Sequence, residues 1–275
     1  MSTKISNWPA GTPMWVDLGV QDLEAAKGFY ADLFGWQFLP GGQFREFGGG
    51  TAVEDYLLAH LGGRAVAGIG LQQDHAGWTT FLATDDAGVT ARKIEAAGGR
   101  VTAHPRHAAN SARTALAKDT AGAAFGVWQA GTHIGAERVN EHGSLCWNEL
   151  RTPNYPAARS FYAEVFGHSY QEIPAEDRLY ATIRRPHDGN EVAGLHCVSP
   201  LDPARGHWLT WFASDDVEAT VRIAAERGSR LLEPLTEGPL GHTAIVQAPQ
   251  GEVFGVTDAP RTSGFFRQPP DQELR

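Results

Sequence analysis

The chain has 275 residues, of which 42% are hydrophobic, 20% are charged and 2 are cysteines. Its 23 Lys and Arg residues and 32 Asp and Glu residues give a formal net charge of -9, which opposes binding to a nucleic-acid backbone. Two cysteines are too few for a disulfide framework, and no stretch reaches the roughly 18 apolar residues of a membrane span. We therefore expect a cytoplasmic protein of about two domains, with no nucleic-acid or membrane partner.

The predicted elements follow a repeating order along the chain, in which a Trp opens a strand and a capping residue begins a helix. The four openings are WVDL at 15, WTTF at 78, WNEL at 147 and WLTW at 208. The predicted N-caps, each seven positions after its Trp, are Asp22, Asp85, Asn154 and Asp215. Glycines end the helices, and about three strand-like runs follow each of them. The sequence therefore predicts four units of one strand, one helix and three strands.

The two halves of the chain are tandem copies of each other. FYADLFG at 29–35 returns as FYAEVFG at 161–167, an offset of 132 residues. The periodicity lapses around 131–142, which marks the boundary between the halves. The expected parts are a first domain at 10–131, a second domain at 143–260 and a C-terminal tail at 261–275.

Three segments carry a resemblance to a known family: WVDLGVQDLEAAKGFYADLFGW, WNELRTPNYPAARSFYAEVFG and GAAFGVW. They resemble the vicinal oxygen chelate superfamily of glyoxalases, bleomycin-resistance proteins and extradiol dioxygenases, and within it the two-domain actinobacterial branch. The resemblance implies an α+β fold, a tandem pair of glyoxalase-like domains, each built from two βαβββ modules with a curled mixed sheet around a cleft. The helices would cover the outer face of the sheet, and a small-molecule ligand would lie inside it.

The resemblance also implies where a metal ion would bind. Metal-dependent members supply His near the start of the first strand of a module and Glu or His on its last strand. The first-strand positions hold Trp15, Trp78, Trp147 and Trp208, or Thr79 and Leu209 if the second and fourth modules shift by one residue. The last-strand positions hold Gly68, Gly126, Gly194 and Gly255. None of these side chains can ligate a metal in the usual way, so we expect no metal and no other cofactor.

The 11 histidines leave an unconventional metal site as an alternative. Two imidazoles with Asp17 or Glu149 would form a 2-His-1-carboxylate site. The histidines on or beside predicted strands are His60, His75, His196, His207 and His242.

Strand alternation predicts catalytic groups in the clefts. If Val16 and Leu18 pack on the helix, Asp17 faces the first cleft, and Glu149 takes the same position in the third module. Burial of such a carboxylate raises its pKa toward the range of a general base. Pseudo-symmetry adds a hydroxyl to each cleft, so the predicted catalytic residues are Asp17, Thr80, Glu149 and Thr210. The alternative is a structural role, in which each carboxylate accepts hydrogen bonds from Thr, Tyr or Trp.

Aromatic side chains are expected to line both clefts and to stack a flat organic molecule. The predicted substrate contacts are Trp15, Trp78, Trp147 and Trp208, with Tyr56, Tyr180, Arg45, Arg184 and His196 as further candidates. The four tryptophans would alternatively serve only as core residues.

Three functions agree with this pattern. The first is a metal-independent enzyme that performs acid/base chemistry on a small carbonyl or aromatic metabolite. The second is a protein that sequesters a small molecule or drug without catalysis, and the third is a metal-dependent glyoxalase-like lyase or dioxygenase. In each case the expected partner is a small molecule, and the chain is expected to be a monomer or a homodimer.

Overall fold

The structure is a computed structural model that describes residues 4–41, 56–72, 77–108, 112–174, 179–199, 206–238 and 241–258. Within these ranges the chain forms two eight-stranded sheets and four helices. None of the helices in the described ranges is long and apolar enough to cross a bilayer. Arg45, His75 and the expected tail at 261–275 lie outside the described residues.

The N-terminal domain runs through two modules in succession. Its elements are β1 (Pro13–Val20), α1 (Leu23–Phe34), β2 (Gln37–Pro40), β3 (Tyr56–Leu61), β4 (Arg64–Leu71), β5 (Gly77–Ala83), α2 (Ala87–Ala96), β6 (Arg100–Ala108), β7 (Ala112–Lys118) and β8 (Ala124–Ala130). The strands lie in the order β2-β3-β4-β1-β5-β8-β7-β6. The antiparallel pair β1–β5 joins the modules, and each of these strands pairs in parallel with the last strand of its own module.

The C-terminal domain repeats this plan. Its elements are β9 (Leu145–Thr152), α3 (Tyr155–Phe166), β10 (Ser169–Ile173), β11 (Tyr180–Arg184), β12 (Glu191–Cys197), β13 (His207–Ser214), α4 (Val217–Glu226), β14 (Arg230–Gly238), β15 (Gly241–Gln247) and β16 (Val253–Asp258). The strand order is β10-β11-β12-β9-β13-β16-β15-β14. The predicted fold class, a tandem pair of domains with two βαβββ modules each, is confirmed. Modules that are neighbours in sequence share one sheet.

The helix starts show one systematic difference from the sequence prediction. Asp22 and Asn154 cap α1 and α3 as predicted, each accepting a hydrogen bond from the first helical turn. The caps of α2 and α4 are Asp86 and Asp216, one residue after the predicted positions. The strands that precede these two helices are therefore offset by one residue from the register that the predicted caps imply.

The two domains pack through their helix-bearing faces. One apolar cluster combines Phe34 of α1 with Phe212 of β13 and Phe254 of β16, and the rings of Phe34 and Phe212 lie 5.3 Å apart. A second cluster combines Phe125 of β8 with Tyr162 of α3, whose rings lie 5.6 Å apart. Full burial of a side chain of this size stabilises a fold by about 1.5–3 kcal/mol. Each cluster draws on both domains, so the interface between them is part of the hydrophobic core.

Candidate functional site

The first cleft lies on the face of the N-terminal sheet that points away from the helices. Leu18 of β1 lies opposite Trp78 of β5, and the Trp78 ring packs on Tyr30 of α1, which identifies the helix side. Because side chains alternate along a strand, Trp15 and Asp17 point to the other side, into the cleft. This agrees with the alternation predicted for β1.

Asp17 is held by two neutral donors. Trp15 Nε1 donates to Asp17 Oδ1 at 2.7 Å, and the Tyr56 hydroxyl donates to the same oxygen at 2.6 Å. The second oxygen, Oδ2, is buried and accepts no hydrogen bond from the described residues. Burial raises the pKa of Asp17 from 3.8 to about 6, although the hydrogen bonds from Tyr56 and Trp15 act to lower it. The carboxyl group can therefore gain or lose a proton close to neutral pH.

A glycine makes room for this arrangement. Gly68 of β4 stands beside Asp17 in the parallel pair β1–β4. A Cβ atom at Gly68 would lie 2.0 Å from Asp17 Oδ1 and 2.1 Å from the Tyr56 hydroxyl, which is far inside van der Waals contact. The hydrogen bond between Tyr56 and Asp17 therefore occupies the space that any larger residue at Gly68 would need.

A cavity of about 80 Å³ is lined in part by Asp17. Its wall includes Thr79, which lies opposite Asp17 in the β1–β5 pair, and Leu116 of β7. Gln72 also lines it, with its side-chain amide lying over Gly19. This volume is below the roughly 300 Å³ of ordinary ligand pockets. The cavity has room for a small substrate or for the reactive end of a larger one.

In the second cleft a charged network surrounds the carboxylate. Glu149 of β9 lies beside Gly194, as Asp17 does beside its glycine. Arg151 Nε lies 2.8 Å from Glu149 Oε1, His196 Nδ1 lies 3.5 Å from the same oxygen, and Arg151 Nη1 also contacts Glu233 at 2.7 Å. Burial alone would raise the pKa of Glu149, but the hydrogen bond with His196 and the charge of Arg151 outweigh it and lower that pKa. Glu149 is therefore an ionised partner in an ion pair.

Two other predicted contacts of the second cleft lie together. Trp147 Nε1 donates to the Tyr180 hydroxyl at 3.2 Å. That hydroxyl lies over Gly194, where a Cβ would approach it to 2.2 Å. Arg184, a third predicted contact, pairs with Glu191 at 3.0 Å. The structure thus groups Trp147 with Tyr180 and places Arg184 in a separate ion pair.

The prediction that Thr80 and Thr210 lie beside the carboxylates is wrong. Both hydroxyls point toward the domain interface and contact Asn148 Oδ1, at 2.8 and 3.4 Å. Trp78 and Trp208 also lie on the helix-bearing faces, in the two apolar clusters, and not in the clefts. The cause is the one-residue offset of the second and fourth modules, because a shift by one residue turns every side chain of a strand to the opposite face.

Other residues take those places. Thr79 of β5 faces Asp17, and Leu209 of β13 faces Glu149. The shifted alignment of these two modules is therefore the one that the structure adopts.

Arg151 and Glu233 were missed by sequence reasoning. Arg151 lies two residues after Glu149 on the same strand, so the alternation of β9 could have placed it in the cleft. Glu233 comes from β14, which is distant in sequence, and no local pattern connects it with β9.

The residues at the expected metal positions do not fit a divalent ion. The four last-strand glycines are covered by side chains that would lie 2.0–2.2 Å from an added Cβ. The covering side chains are Asp17, Phe81, Tyr180 and Trp211. Over the described part of the chain, no three His, Cys, Asp or Glu side chains converge as a metal site, and this holds for the four predicted strand histidines within it, which are His60, His196, His207 and His242.

The fold and the two clefts define a class of protein. Residues 13–127 and 144–257 each match the Glyoxalase/Bleomycin resistance protein/Dioxygenase superfamily. The chain belongs to this superfamily.

Individual members of the superfamily and one solved structure resemble the chain along most of its length. The protein CFP32 from Mycobacterium tuberculosis is named as a glyoxylase. It is 38% identical over 266 residues, covering 92% of this chain and 97% of that protein. The anthracycline biosynthesis protein DnrV from Streptomyces peucetius is 33% identical over 279 residues, covering 92% and 95%. Among solved structures, the Mn(II)-bound glyoxalase from Novosphingobium aromaticivorans has a TM-score of 0.64 at 18% identity, covering 94% of this chain and 86% of that one. This last likeness shows the fold alone.

Proposed function

We propose that the chain is an enzyme in which Asp17 performs acid/base chemistry on a small carbonyl or aromatic metabolite. The observation that supports this is the state of Asp17, a residue that is only 4% exposed and has one carboxyl oxygen held by neutral donors. A general base works best when its pKa lies near the operating pH, and the pKa of Asp17 is raised to about 6 by burial.

The surrounding residues give each oxygen of Asp17 a separate task. Trp15 and Tyr56 fix Oδ1, so the orientation of the carboxyl group does not change when a proton moves. Burial, followed by the charge of Asp17, raises the pKa of Tyr56 well above its usual value, so Tyr56 remains a donor. Oδ2 is the oxygen that would take the proton from a substrate. The Thr79 hydroxyl and the Gln72 amide, in the same cavity, would orient a substrate oxygen.

The proposal assigns the chemistry to the first cleft. Glu149 is ionised but tied to Arg151, so taking up a proton would break an ion pair. The proposal includes no bound metal ion, because glycines stand at the expected ligand positions and other side chains fill the space around them. Dialysis against a chelator should therefore leave the rate unchanged.

The substrate class is supported by two observations. The cavity next to Asp17, of about 80 Å³, favours a small reactive group such as a carbonyl. Relatives named for glyoxylase activity and for anthracycline biosynthesis support a carbonyl or an aromatic compound.

Proton exchange tests the proposal for any substrate that carries an acidic C–H bond beside a carbonyl. The protein would be incubated in deuterated water with a panel of small α-hydroxy and α-keto carbonyl compounds, and loss of the C–H signal beside the carbonyl would be followed by NMR. We expect exchange that rises with pH through about 6 and that falls at least about 100-fold in Asp17→Asn. Wild-type exchange in Asp17→Asn would refute the assignment. Saturable quenching of Trp fluorescence by panel compounds, with neither exchange nor product, would indicate a sequestering protein instead.

A further inference from the structure

Two related contacts join the domains, one where α1 meets α4 and the β15–β16 turn, and one where α3 meets α2 and the β7–β8 turn. In the first, the Tyr30 hydroxyl donates to Glu252 Oε1 at 3.0 Å. In the second, the Tyr162 hydroxyl donates to Asp119 Oδ2 at 3.3 Å. The two tyrosines are equivalent in the sequence repeat, whereas their carboxyl partners are not, because FGV at 125–127 and at 254–256 aligns Glu252 with Ala123.

The contact between α2 and α3 is closed. Asp119 Oδ1 accepts hydrogen bonds from the backbone N–H groups of Ala121 and Ala123, both at 2.9 Å, so both oxygens of Asp119 are engaged. Nearby, the Phe161 ring packs so tightly on Gly99 that a Cβ atom there would lie 2.7 Å from it. Both oxygens of Asp119 and the space over Gly99 are therefore occupied by groups of the protein itself.

The contact between α1 and α4 is open instead. A cavity of about 320 Å³ lies between α1, the end of α4 and the turn that joins β15 to β16. Phe29 and Pro249 supply apolar wall, and Glu252 supplies a carboxyl group. Gly28, in the middle of α1, leaves the cavity wide, because an added Cβ would meet nothing within 4 Å. The equivalent residue of α3 is Ser160. A glycine in a helix interior destabilises the helix, so Gly28 lowers the stability of α1.

The carboxyl group of Glu252 is incompletely paired. Glu252 is 2% exposed, and its Oε2 accepts no hydrogen bond from the described part of the chain. Burial raises the pKa of Glu252. The other charges at the cavity are already compensated, since Glu24 pairs with Lys27 at 2.8 Å and Arg227 is within 2.6 Å of Asp32. Glu252 is therefore the carboxyl group of the cavity lining that has no ion-pair partner among the described residues, and its Oε2 is an acceptor that lacks a donor.

We propose that this cavity binds a small primary ammonium compound with an apolar body. The ammonium group would donate to Glu252, and the apolar body would pack on Phe29 and Pro249. The volume lies at the lower end of the range for small-molecule pockets, which suits a ligand of about ten heavy atoms. The site is separate from the cleft of Asp17, so it stands independently of the acid/base function proposed for that cleft.

Benzylamine is the probe that tests the site, with benzyl alcohol as its neutral counterpart. Isothermal titration of the full chain at neutral pH should show saturable binding of one benzylamine, and benzyl alcohol should bind at least tenfold more weakly. Glu252→Gln keeps the acceptor for Tyr30 but removes the charge, and Gly28→Leu fills the cavity while favouring the helix. Each should weaken benzylamine binding at least tenfold.

Two control variants separate this site from the rest of the molecule. Glu24→Gln removes an exposed carboxylate of the same rim, and Asp17→Asn alters the first cleft, so both should bind benzylamine like the wild type. The proposal is overturned if benzylamine does not bind, or if its binding survives both Glu252→Gln and Gly28→Leu. Loss of binding in Asp17→Asn would place the ligand in the cleft and would also overturn it.

Discussion

The two clefts place a carboxyl group at the same position of a first strand, Asp17 in β1 and Glu149 in β9, and bury it to a similar extent, 4% and 7% exposed. Their pKa values nevertheless move in opposite directions. Asp17 receives hydrogen bonds from neutral groups, whereas Glu149 lies against the Arg151 guanidinium. Burial alone therefore does not guarantee that the pKa of a carboxyl group is raised toward neutral pH. The hydrogen bond with His196 and the charge of Arg151 lower the pKa of Glu149, whereas the neutral donors of Asp17 do not offset the effect of burial on its pKa.

The largest expected difference between the clefts is in turnover. Asp17→Asn keeps the shape of the side chain and an acceptor for Tyr56 but removes the proton acceptor, so kcat should fall by about 10²–10⁴. Glu149→Gln should change kcat by less than about threefold, measured under conditions where both variants are folded. Equal losses in the two variants would mean that the clefts are equivalent in function.

Stability should respond in the reverse order. Glu149→Gln leaves Arg151 with Glu233 as its remaining carboxylate, so the loss of unfolding free energy should be smaller than the roughly 3–5 kcal/mol of a fully unpaired buried charge. Asp17→Asn leaves no buried charge unpaired and should not destabilise the protein at neutral pH. Urea denaturation followed by circular dichroism measures both.

The double variant Glu149→Gln, Arg151→Gln is the control for this stability prediction. It removes both charges of the pair and should recover part of the loss. A Glu149→Gln variant as stable as the wild type would contradict the role assigned to the ion pair.

The pH dependence of stability should distinguish the two carboxyl groups as well. The pKa of Asp17 is about 6 in the folded protein against its ordinary value of 3.8, so between about pH 4 and pH 6 the unfolded chain is the first to lose its proton. Asp17 therefore lowers stability as pH rises through this window, by at most about 3 kcal/mol. Glu149, whose pKa is lowered, contributes stability that is lost as pH falls.

Denaturation of the wild type and of Asp17→Asn across this pH range tests the linkage. The difference in unfolding free energy between them should grow in favour of Asp17→Asn from acid to neutral pH. A difference that does not change with pH would show that the folded protein does not raise the pKa of Asp17.

The smallest expected effect comes from the tyrosines. Tyr56→Phe removes a donor to the Asp17 carboxylate, so the pKa of Asp17 should rise further and the acidic limb of the pH–rate profile should move up by about one pH unit. Tyr180→Phe removes an acceptor for Trp147 and should leave the profile in place. A profile that is identical in Tyr56→Phe and in the wild type would mean that Tyr56 does not tune Asp17.

Much of the architecture could be predicted because the chain repeats its elements in sequence. The similar sequences of α1 and α3, with their predicted N-caps, indicate the repeated modules. Alternation along β1 predicts the direction in which Asp17 points. The positions of Thr80 and Thr210 could not be predicted, for a definable reason. The strands of Thr80 and Thr210 lead into α2 and α4. Two adjacent aspartates precede each of these helices, and either one is a good N-cap.

The partners of the carboxyl groups were harder to predict than the carboxyl groups themselves. Tyr56 reaches Asp17 from β3, and Glu233 reaches Arg151 from β14, across sheet positions that depend on strand order. The pKa of a buried group depends on such distant neighbours. The change from Asp17 to Glu149 already indicates in the sequence that the clefts differ, but the opposite directions of their pKa shifts depend on the three-dimensional arrangement.

The shared apolar clusters have a consequence for how this duplicated chain can change over time. Because Phe212 and Phe254 of one half complete the packing around Phe34 of the other, neither half can be deleted without exposing an aromatic surface. The C-terminal half is thus needed for packing whether or not its own pocket binds or converts a ligand. That pocket can then accumulate charges such as Arg151 without affecting the chemistry proposed for the N-terminal half.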